Sequence, residues 1–393
     1  MDNWENYITM RNAKLPVFRP RLSKIRGDAR YFVTETQEYL NFVSNDYLGL
    51  STNPKVINGL TNACEKYGLG SSGAASLSGY SEEHQLLTEE LAKWLGYEKC
   101  LLFSSGYQLN IGIFSQLVDS NTTVWIDRRC HASHIDGIML AKAKFVTFNE
   151  DSVDEIIFKI TGQPNKRHLI LSEGSFSMDG TCSYWKKLIQ LKQSNPETIL
   201  LIIDDVHGIG ALGPNGHGSL EQIGLNLRQI DLVIGAFGKA FGTHGGFICG
   251  SAKFIDYLQQ SVRTQIYSTN IPSGIAAASR ASLMIISSSE GRILRTRLVE
   301  NINYFEKLAL ESGLKLANHK TNQLPIKLLV YNDEQIVIHI HNHLLKQNIL
   351  VGKIFYPTVP KEKPRLRISI NIKHKKSDIK RLVDCLTIAE KLL

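Results

Sequence analysis

Between residues 100 and 249 the chain carries seven short apolar runs, at 100–104, 123–126, 145–148, 168–172, 199–204, 232–236 and 246–249. Most are continuous rather than alternating, which suits strands covered on both faces of a mainly parallel sheet. Amphipathic stretches accompany them: over 82–95, Leu86, Leu87, Leu91, Trp94 and Leu95 recur at helical spacing. Strand and helix in alternation predict an α/β fold, with a large domain over residues 46–285 preceded by an N-terminal segment, residues 1–45. After the turn-like Ile271-Pro272-Ser273-Gly274, a long helical stretch runs toward Leu308. A strand at 325–330, a helix at 334–347 and a strand at 365–370 then predict a small α+β C-terminal domain, residues 286–393. No internal repeat or low-complexity tract separates the two, so they are expected to share one interface.

Composition narrows the function classes. No apolar run in the 393 residues approaches the ~18 residues of a membrane span. The opening MDNWENYITMRNAKL lacks the apolar core of a signal peptide, which makes the cytoplasm the expected location. Six cysteines without a CxxC pair fit reduced thiols rather than a disulfide framework. The net charge of +8 invites a nucleic-acid reading, but much of the surplus sits in Lys373-His374-Lys375-Lys376 with Lys380 and Arg381. A solvated helix face is the favoured account of that run, and attraction of an anionic substrate or acyl carrier is compatible with it.

In open α/β sheets ligands sit beyond the carboxyl ends of the strands, so the residues after each run carry the chemistry. Ser104-Ser105-Gly106-Tyr107-Gln108 reads as a small-residue turn opening a helix, where glycine allows close approach and free N–H groups bind phosphate. An ordinary strand-to-helix turn is the plainer alternative. Asp204-Asp205-Val206-His207-Gly208 puts two acids behind a buried strand, which is costly without a cationic or hydrogen-bonding partner. A metal pair is one option, although no third and fourth ligand stand at an obvious spacing; a carboxylate facing a protonated heterocycle is the other. Lys239 follows the run at 232–236, and a desolvated lysine loses its proton readily and forms Schiff bases with carbonyl compounds. A phosphate cradle, a carboxylate for a pyridinium nitrogen and an amine for an aldehyde together match the functional groups of pyridoxal 5'-phosphate.

Further stretches carry a resemblance over nearly the whole chain. They are the decapeptide at 41–50 (NFVSNDYLGL), Ser78-Gly79-Tyr80 with His84, Ser105-Gly106-Tyr107, His131-Ala132-Ser133 and the octapeptide at 173–180 (EGSFSMDG). Asp204-Asp205-Val206-His207-Gly208, the hexapeptide at 237–242 (FGKAFG), Tyr267-Ser268-Thr269 and Pro357-Thr358-Val359-Pro360 complete the series. In this order they resemble the α-oxoamine synthase family of fold-type I pyridoxal-phosphate enzymes.

The resemblance implies a fold-type I transferase with a seven-stranded large-domain sheet, and it implies roles for the catalytic residues Lys239, His131, Asp204 and His207. Lys239 would hold the cofactor, Asp204 would pair with the ring nitrogen, and His131 would stack on the ring. His207 and Ser177 would meet the 3'-oxygen, with Glu173 also at the cofactor. Ser105, Gly106 and Tyr107 would cradle the phosphate, joined by Ser268 and Thr269 from the second subunit of a homodimer. Arg367 would hold the amino-acid carboxylate. Arg365 shares its strand face, so spacing alone leaves the two open. Asn45 and Thr358 would line the substrate site, and Arg19, or Arg21 in its place, would contact the acyl substrate. No metal site is expected.

The reaction implied is a decarboxylative condensation of an amino acid with an acyl thioester. The Asp-Asp-Val-His-Gly run leans toward L-alanine and a pimeloyl group carried by coenzyme A or acyl carrier protein, with acetyl transfer to glycine, or synthesis of an α-aminoketone signal by another member of the family, as the alternatives. One departure from the family stands out: the threonine usual three residues before the lysine, which contributes a hydroxyl to the phosphate, is Ala236. Weaker cofactor retention is expected from it. His339, His341 and His343 read as surface histidines, and His134 as an ordinary helix position.

Overall fold

The computed structural model describes residues 3–13, 26–176, 184–317 and 323–393. The seven apolar runs form one seven-stranded sheet, in the spatial order Lys99–Phe103, Gly246–Gly250, Leu232–Ala236, Ile199–Asp204, Arg167–Glu173, Thr122–Asp127 and Lys144–Phe148. Gly246–Gly250 runs antiparallel to both neighbours and the other pairings are parallel. The carboxyl ends of the remaining strands therefore line one edge. Alternate side chains enter different cores: Leu201, Ile203 and Val233 pack on one face, Ile202, Leu232 and Ile234 on the other. Only the outer strand departs from the continuous-burial reading, with Phe145 and Val146 left exposed at the sheet edge.

Helices cover both faces. Glu82–Leu95 buries His84, Leu87, Leu91, Ala92 and Leu95, starts at a Ser81–His84 capping box and ends at left-handed Gly96. Gly106–Leu117 lies close against Ala132–Leu140, because a Cβ on Gly137 would fall 2.7 Å from the Asn110 carbonyl oxygen. The long helical stretch expected after residue 271 is two helices, Ser273–Ile286 and Ser289–Glu311. The break falls in a serine run, where the Ser288 hydroxyl accepts the Glu290 N–H at 3.1 Å and starts the second helix.

Toward the C-terminus, Ile326–Val330, Arg365–Ser369 and Gly352–Ile354 form a three-stranded antiparallel sheet. The helices Glu334–Lys346 and Lys376–Lys391 accompany it. The early strands Arg26–Gly27, Tyr31–Val33 and Glu38–Asn41 extend to Ile349–Leu350, which pairs parallel with Glu38–Asn41. Residues 26–41 are thus locked to late segments of the chain. Arg30 grips Asp378 through two hydrogen bonds of 2.7 and 2.9 Å, and Asn371 Nδ2 donates to the Ala29 carbonyl at 2.7 Å.

Lys376, Lys380 and Arg381 are exposed on the last helix, as a solvated face requires, and Lys375 is its exposed cap. Two histidine readings are corrected: Lys373 and His374 lie in the turn entering that helix. His374 is buried within it, stacked on Phe42 at 4.1 Å. His341 is likewise buried, on the inner face of Glu334–Lys346, whereas His339 is exposed.

Candidate active site

After Leu232–Ala236 the chain folds back in a tight turn. Phe237 N–H bonds the Gly245 carbonyl, Gly242 N–H that of Lys239 and Thr243 N–H that of Phe237, each at 2.9 Å. Phe237 and Phe241 are fully buried, 5.4 Å apart, and anchor the turn on either side of Lys239. Gly242 sits at φ +68°, and a Cβ there would fall 2.4 Å from Ser51 N, so the turn requires glycine. Lys239 projects from this rigid frame half-buried, and among the described residues nothing hydrogen-bonds or ion-pairs with its amine. Burial and then Arg367 hold the amine below the ordinary lysine range, with Asp204 and Glu173 opposing.

Asp204 ends the adjacent strand, level with Glu173 on one side and Ile234 on the other. Its Oδ2 accepts from His134 Nε2 at 2.9 Å and from Asn110 Nδ2 at 3.5 Å, and its Oδ1 from Val206 N–H at 3.3 Å. His134 is therefore no ordinary helix position: it is fully buried and supports the carboxylate from behind. Asp205 turns the other way. It accepts the Ser219 N–H and hydroxyl, each at 2.6 Å, and burial pushes its carboxyl up to about 7. Of two neighbouring acids, one faces the site and the other ties down the loop that carries His207.

His131 starts the helix Ala132–Leu140 and is exposed, its Nδ1 accepting the Ser133 N–H at 3.3 Å. The buried Glu173 carboxylate accepts the His131 N–H at 2.8 Å, and burial followed by the charge on Asp204 pushes Glu173 well above the usual carboxylate range. Ser105 caps Gly106–Leu117 by accepting the Gln108 N–H at 3.2 Å, and a Cβ on Gly106 would meet nothing within 4 Å. Space is open at this helix start. Tyr107 hydrogen-bonds Asp136 and stands edge-on to His131 at 6.2 Å. Ser268 Oγ accepts from Gln108 Nε2 at 2.7 Å, and the Thr269 carbonyl accepts from Ser104 at 3.3 Å, beside the same helix start.

Residues 41–50 bring a second end of the site. Asn45 Oδ1 accepts from Arg367 Nη2 at 3.0 Å and from the Tyr47 hydroxyl at 3.2 Å, and that hydroxyl lies 2.8 Å from His207 Nδ1. Burial, then Lys239, Arg367 and His131, hold His207 well below the usual histidine range. Arg365 and Arg367 share a strand face as expected, but Arg365 donates to the Lys363 carbonyl while Arg367 reaches Asn45. Thr358 is exposed in a turn, its N–H on the Phe355 carbonyl, and is not hydrogen-bonded to the other described site residues. Arg19, Arg21 and Ser177 lie outside the described residues.

A family model for aminotransferase class I and II matches residues 37–386. The chain belongs to this family. Among its relatives, the 8-amino-7-oxononanoate synthase of Marinomonas sp. (strain MWYL1) is 38% identical over 351 residues, 89% of this chain and 86% of that one. The enzyme of the same name from Hahella chejuensis (strain KCTC 2396) is 34% identical, covering 94% and 92%. Of solved structures, 8-amino-7-oxononanoate synthase from Francisella tularensis superposes with TM-score 0.77 at 28% identity, covering 90% and 98%. A serine palmitoyltransferase variant from S. paucimobilis, with PLP and myriocin bound, reaches TM-score 0.89 at 25% identity, covering 99% and 96%.

Two residues of this cluster escaped the sequence reading. His134 was separated from Asp204 by 70 positions, and Tyr47 stood in the quoted stretch 41–50 without a role. Only the fold brings each to its partner. Among the described residues one group, Cys130, His134 and Glu173, has ligand atoms within 4.8 Å of one another. His134 Nε2 and the Glu173 carboxylate already hold Asp204 and the His131 N–H. Burial and the nearby carboxylates push the Cys130 thiol well up. No described helix is long and apolar enough to cross a membrane.

Proposed function

We propose that the protein is a pyridoxal-phosphate-dependent acyltransferase of biotin biosynthesis. It condenses L-alanine with a pimeloyl thioester, on coenzyme A or acyl carrier protein, giving 8-amino-7-oxononanoate, carbon dioxide and the free thiol. The names of its relatives support the substrates, and one observation carries the chemistry: a desolvated lysine whose amine feels both Arg367 and Asp204. The residues present fit the cofactor. Open space and the Gly106 and Tyr107 N–H groups, for which the described residues supply no partner, suit a phosphate, and a buried carboxylate held by three donors suits a protonated ring nitrogen.

Pyridoxal phosphate, when bound, supplies an electron sink that stabilises a carbanion at the amino-acid Cα. Lys239, kept low in proton affinity by burial, is the group that holds the cofactor and then moves the Cα proton. Asp204 keeps the ring nitrogen protonated, and His131 covers one ring face. His207 and Glu173 complete the cofactor shell, with Ser177 assigned by family likeness. Ser105, Gly106 and Tyr107 hold the phosphate. Arg367 and Asn45 orient the alanine carboxylate and so determine which Cα bond faces the Lys239 amine. Arg19 and Thr358 are assigned to the acyl side by the same likeness.

The large unit, residues 46–285, is proposed to bind the cofactor, and residues 286–393 to bring Arg367 to it, with residues 1–45 as a leading segment. A homodimer completes the site by family likeness, which assigns Ser268 and Thr269 to the phosphate of the second copy; within one chain they lie beside that chain's own helix start. Supporting it, exposed Leu69, Leu77 and Tyr267 lie on adjoining segments, since Asn270 bonds Gly73 and Gly79 at 3.0 and 2.9 Å.

Assays pairing alanine or glycine with pimeloyl-, acetyl- and medium-chain acyl-CoA test this reading. Alanine with the pimeloyl thioester should turn over fastest, and Lys239→Ala should abolish both turnover and the lysine-dependent visible absorbance. Preference for glycine and acetyl-CoA would replace the substrate assignment; retained turnover in Lys239→Ala would overturn the mechanism.

A further inference from the structure

Tyr47 is fully buried between the two ends of the site. Its hydroxyl lies 2.8 Å from His207 Nδ1 and 3.2 Å from Asn45 Oδ1, the oxygen that also accepts from Arg367 Nη2 at 3.0 Å. Each group in this chain has a fixed number of protons. Desolvation pushes Tyr47 up to about 12 against Arg367, which acts on the phenol in the opposite sense, so the phenol keeps its proton, and His207, held well below the usual histidine range, is a neutral ring with one N–H. Asn45 Oδ1 can only accept.

A single phenolic O–H points at one partner at a time. When Tyr47 donates to Asn45, His207 donates from Nδ1 to the phenol oxygen, which leaves Nε2 bare. When Tyr47 donates to His207 Nδ1, the ring proton sits on Nε2 and Asn45 Oδ1 is left to Arg367 alone. The tautomer of His207 is thus tied to how heavily Asn45 is loaded. Arg367 also has buried Nε without a partner among the described residues, so its guanidinium retains donor capacity for an anion. A carboxylate that draws Arg367 away from Asn45 frees a lone pair there, and the Tyr47 hydroxyl turns toward it.

We propose that Tyr47 is a positioning residue that couples carboxylate binding at Arg367 and Asn45 to the tautomer of His207, moving the ring proton to Nδ1. This rests on the carboxylate role given to Arg367 and Asn45 above. Binding of the amino acid would then reset the hydrogen-bonding character of the histidine assigned to the cofactor, before any covalent step.

Propionate is the probe, because it has the carboxylate of alanine without the reactive amine. In the cofactor-loaded protein carrying 15N-labelled histidine, the His207 ring signals, assigned by their loss in His207→Asn, report the tautomer. Saturating propionate should raise the Nδ1–H population at least about fivefold in the native protein, the scale of one hydrogen bond. Tyr47→Phe should still bind propionate yet show no change, and Asn45→Ala, whose Tyr47 can reach only His207, should hold the proton on Nε2 throughout. An unchanged tautomer in the native protein, or the same change in Tyr47→Phe, overturns the coupling. If Arg367→Ala binds propionate as the native protein does, the carboxylate assignment fails instead.

Discussion

His134 Nε2 stands 2.9 Å from Asp204 Oδ2, and both side chains are buried. A carboxylate can only accept, so the histidine proton lies on Nε2, and the bond fixes the carboxylate plane. A hydrogen bond to a charged group contributes about 1.5–3 kcal/mol. His134→Leu should therefore release cofactor at least about tenfold faster, followed by absorbance during dialysis, while His134→Gln, which can still donate at a similar reach, should recover much of the loss. Equal release rates in the native and leucine forms would remove His134 from the site.

Ala236 ends the strand before Lys239, opposite Gly246, where no hydroxyl is available to a phosphate. Ala236→Thr should slow cofactor loss, again by an amount on the order of one charged hydrogen bond, about 1.5–3 kcal/mol. Dialysis of the two proteins side by side decides it, and identical loss would show that the phosphate does not depend on this position.

Gly242 offers a test of the frame around the lysine. Gly242→Ala forces a side chain into a left-handed turn and onto the backbone of Ser51, 2.4 Å from its nitrogen. The positive φ alone costs about 1 kcal/mol or more, and the clash adds to it. Unfolding by urea should show the loss of stability. Cofactor binding should weaken too, since the turn cannot shift without moving Lys239; a variant with native affinity would mean the lysine tolerates a displaced frame.

His374 makes stability depend on pH. Its Nε2 donates to the Asn41 carbonyl at 3.0 Å and its Nδ1 accepts the Asn371 N–H at 3.2 Å, so the neutral ring is fully bonded. Burial lowers it to about 4. The unfolded chain takes up the proton below about 6.5 and the folded one only below about 4, so stability is fully present above 6.5 and falls across that window. The full effect is about 3 kcal/mol, from 1.36 kcal/mol per unit. His374→Gln, which does not titrate, should flatten the fall between urea unfolding at pH 7 and pH 4.5. Parallel slopes would assign the pH dependence to other groups.

The sheet was legible because its strands are continuous apolar runs, and each of the seven appears within about two residues of its expected place. Lys239, Asp204 and the 106 turn were legible because ligands gather beyond strand ends, a rule about direction that needs no contact map. His134 and His374 were not. Each is a polar side chain made into core by a partner far away in sequence, Asp204 for one and Asn41 for the other. Helical spacing shows only that a residue lies on a face, not that the face meets a carboxylate. Strand spacing left Arg365 and Arg367 open for the same reason: both lie on one strand face, and Asn45, 322 positions from Arg367, distinguishes them.

The pairing of early and late segments has a consequence for biosynthesis. Asn45 and Tyr47 precede Arg367 by 322 and 320 residues, and Asn371 and His374 come later still. Synthesis runs from the N-terminus, so the lysine turn and its sheet can form on the ribosome well before the arginine that is to meet Asn45 exists. The amino-acid end of the site is thus the last to be assembled. A nascent or prematurely terminated chain holds the lysine without the clamp assigned to orient its substrate.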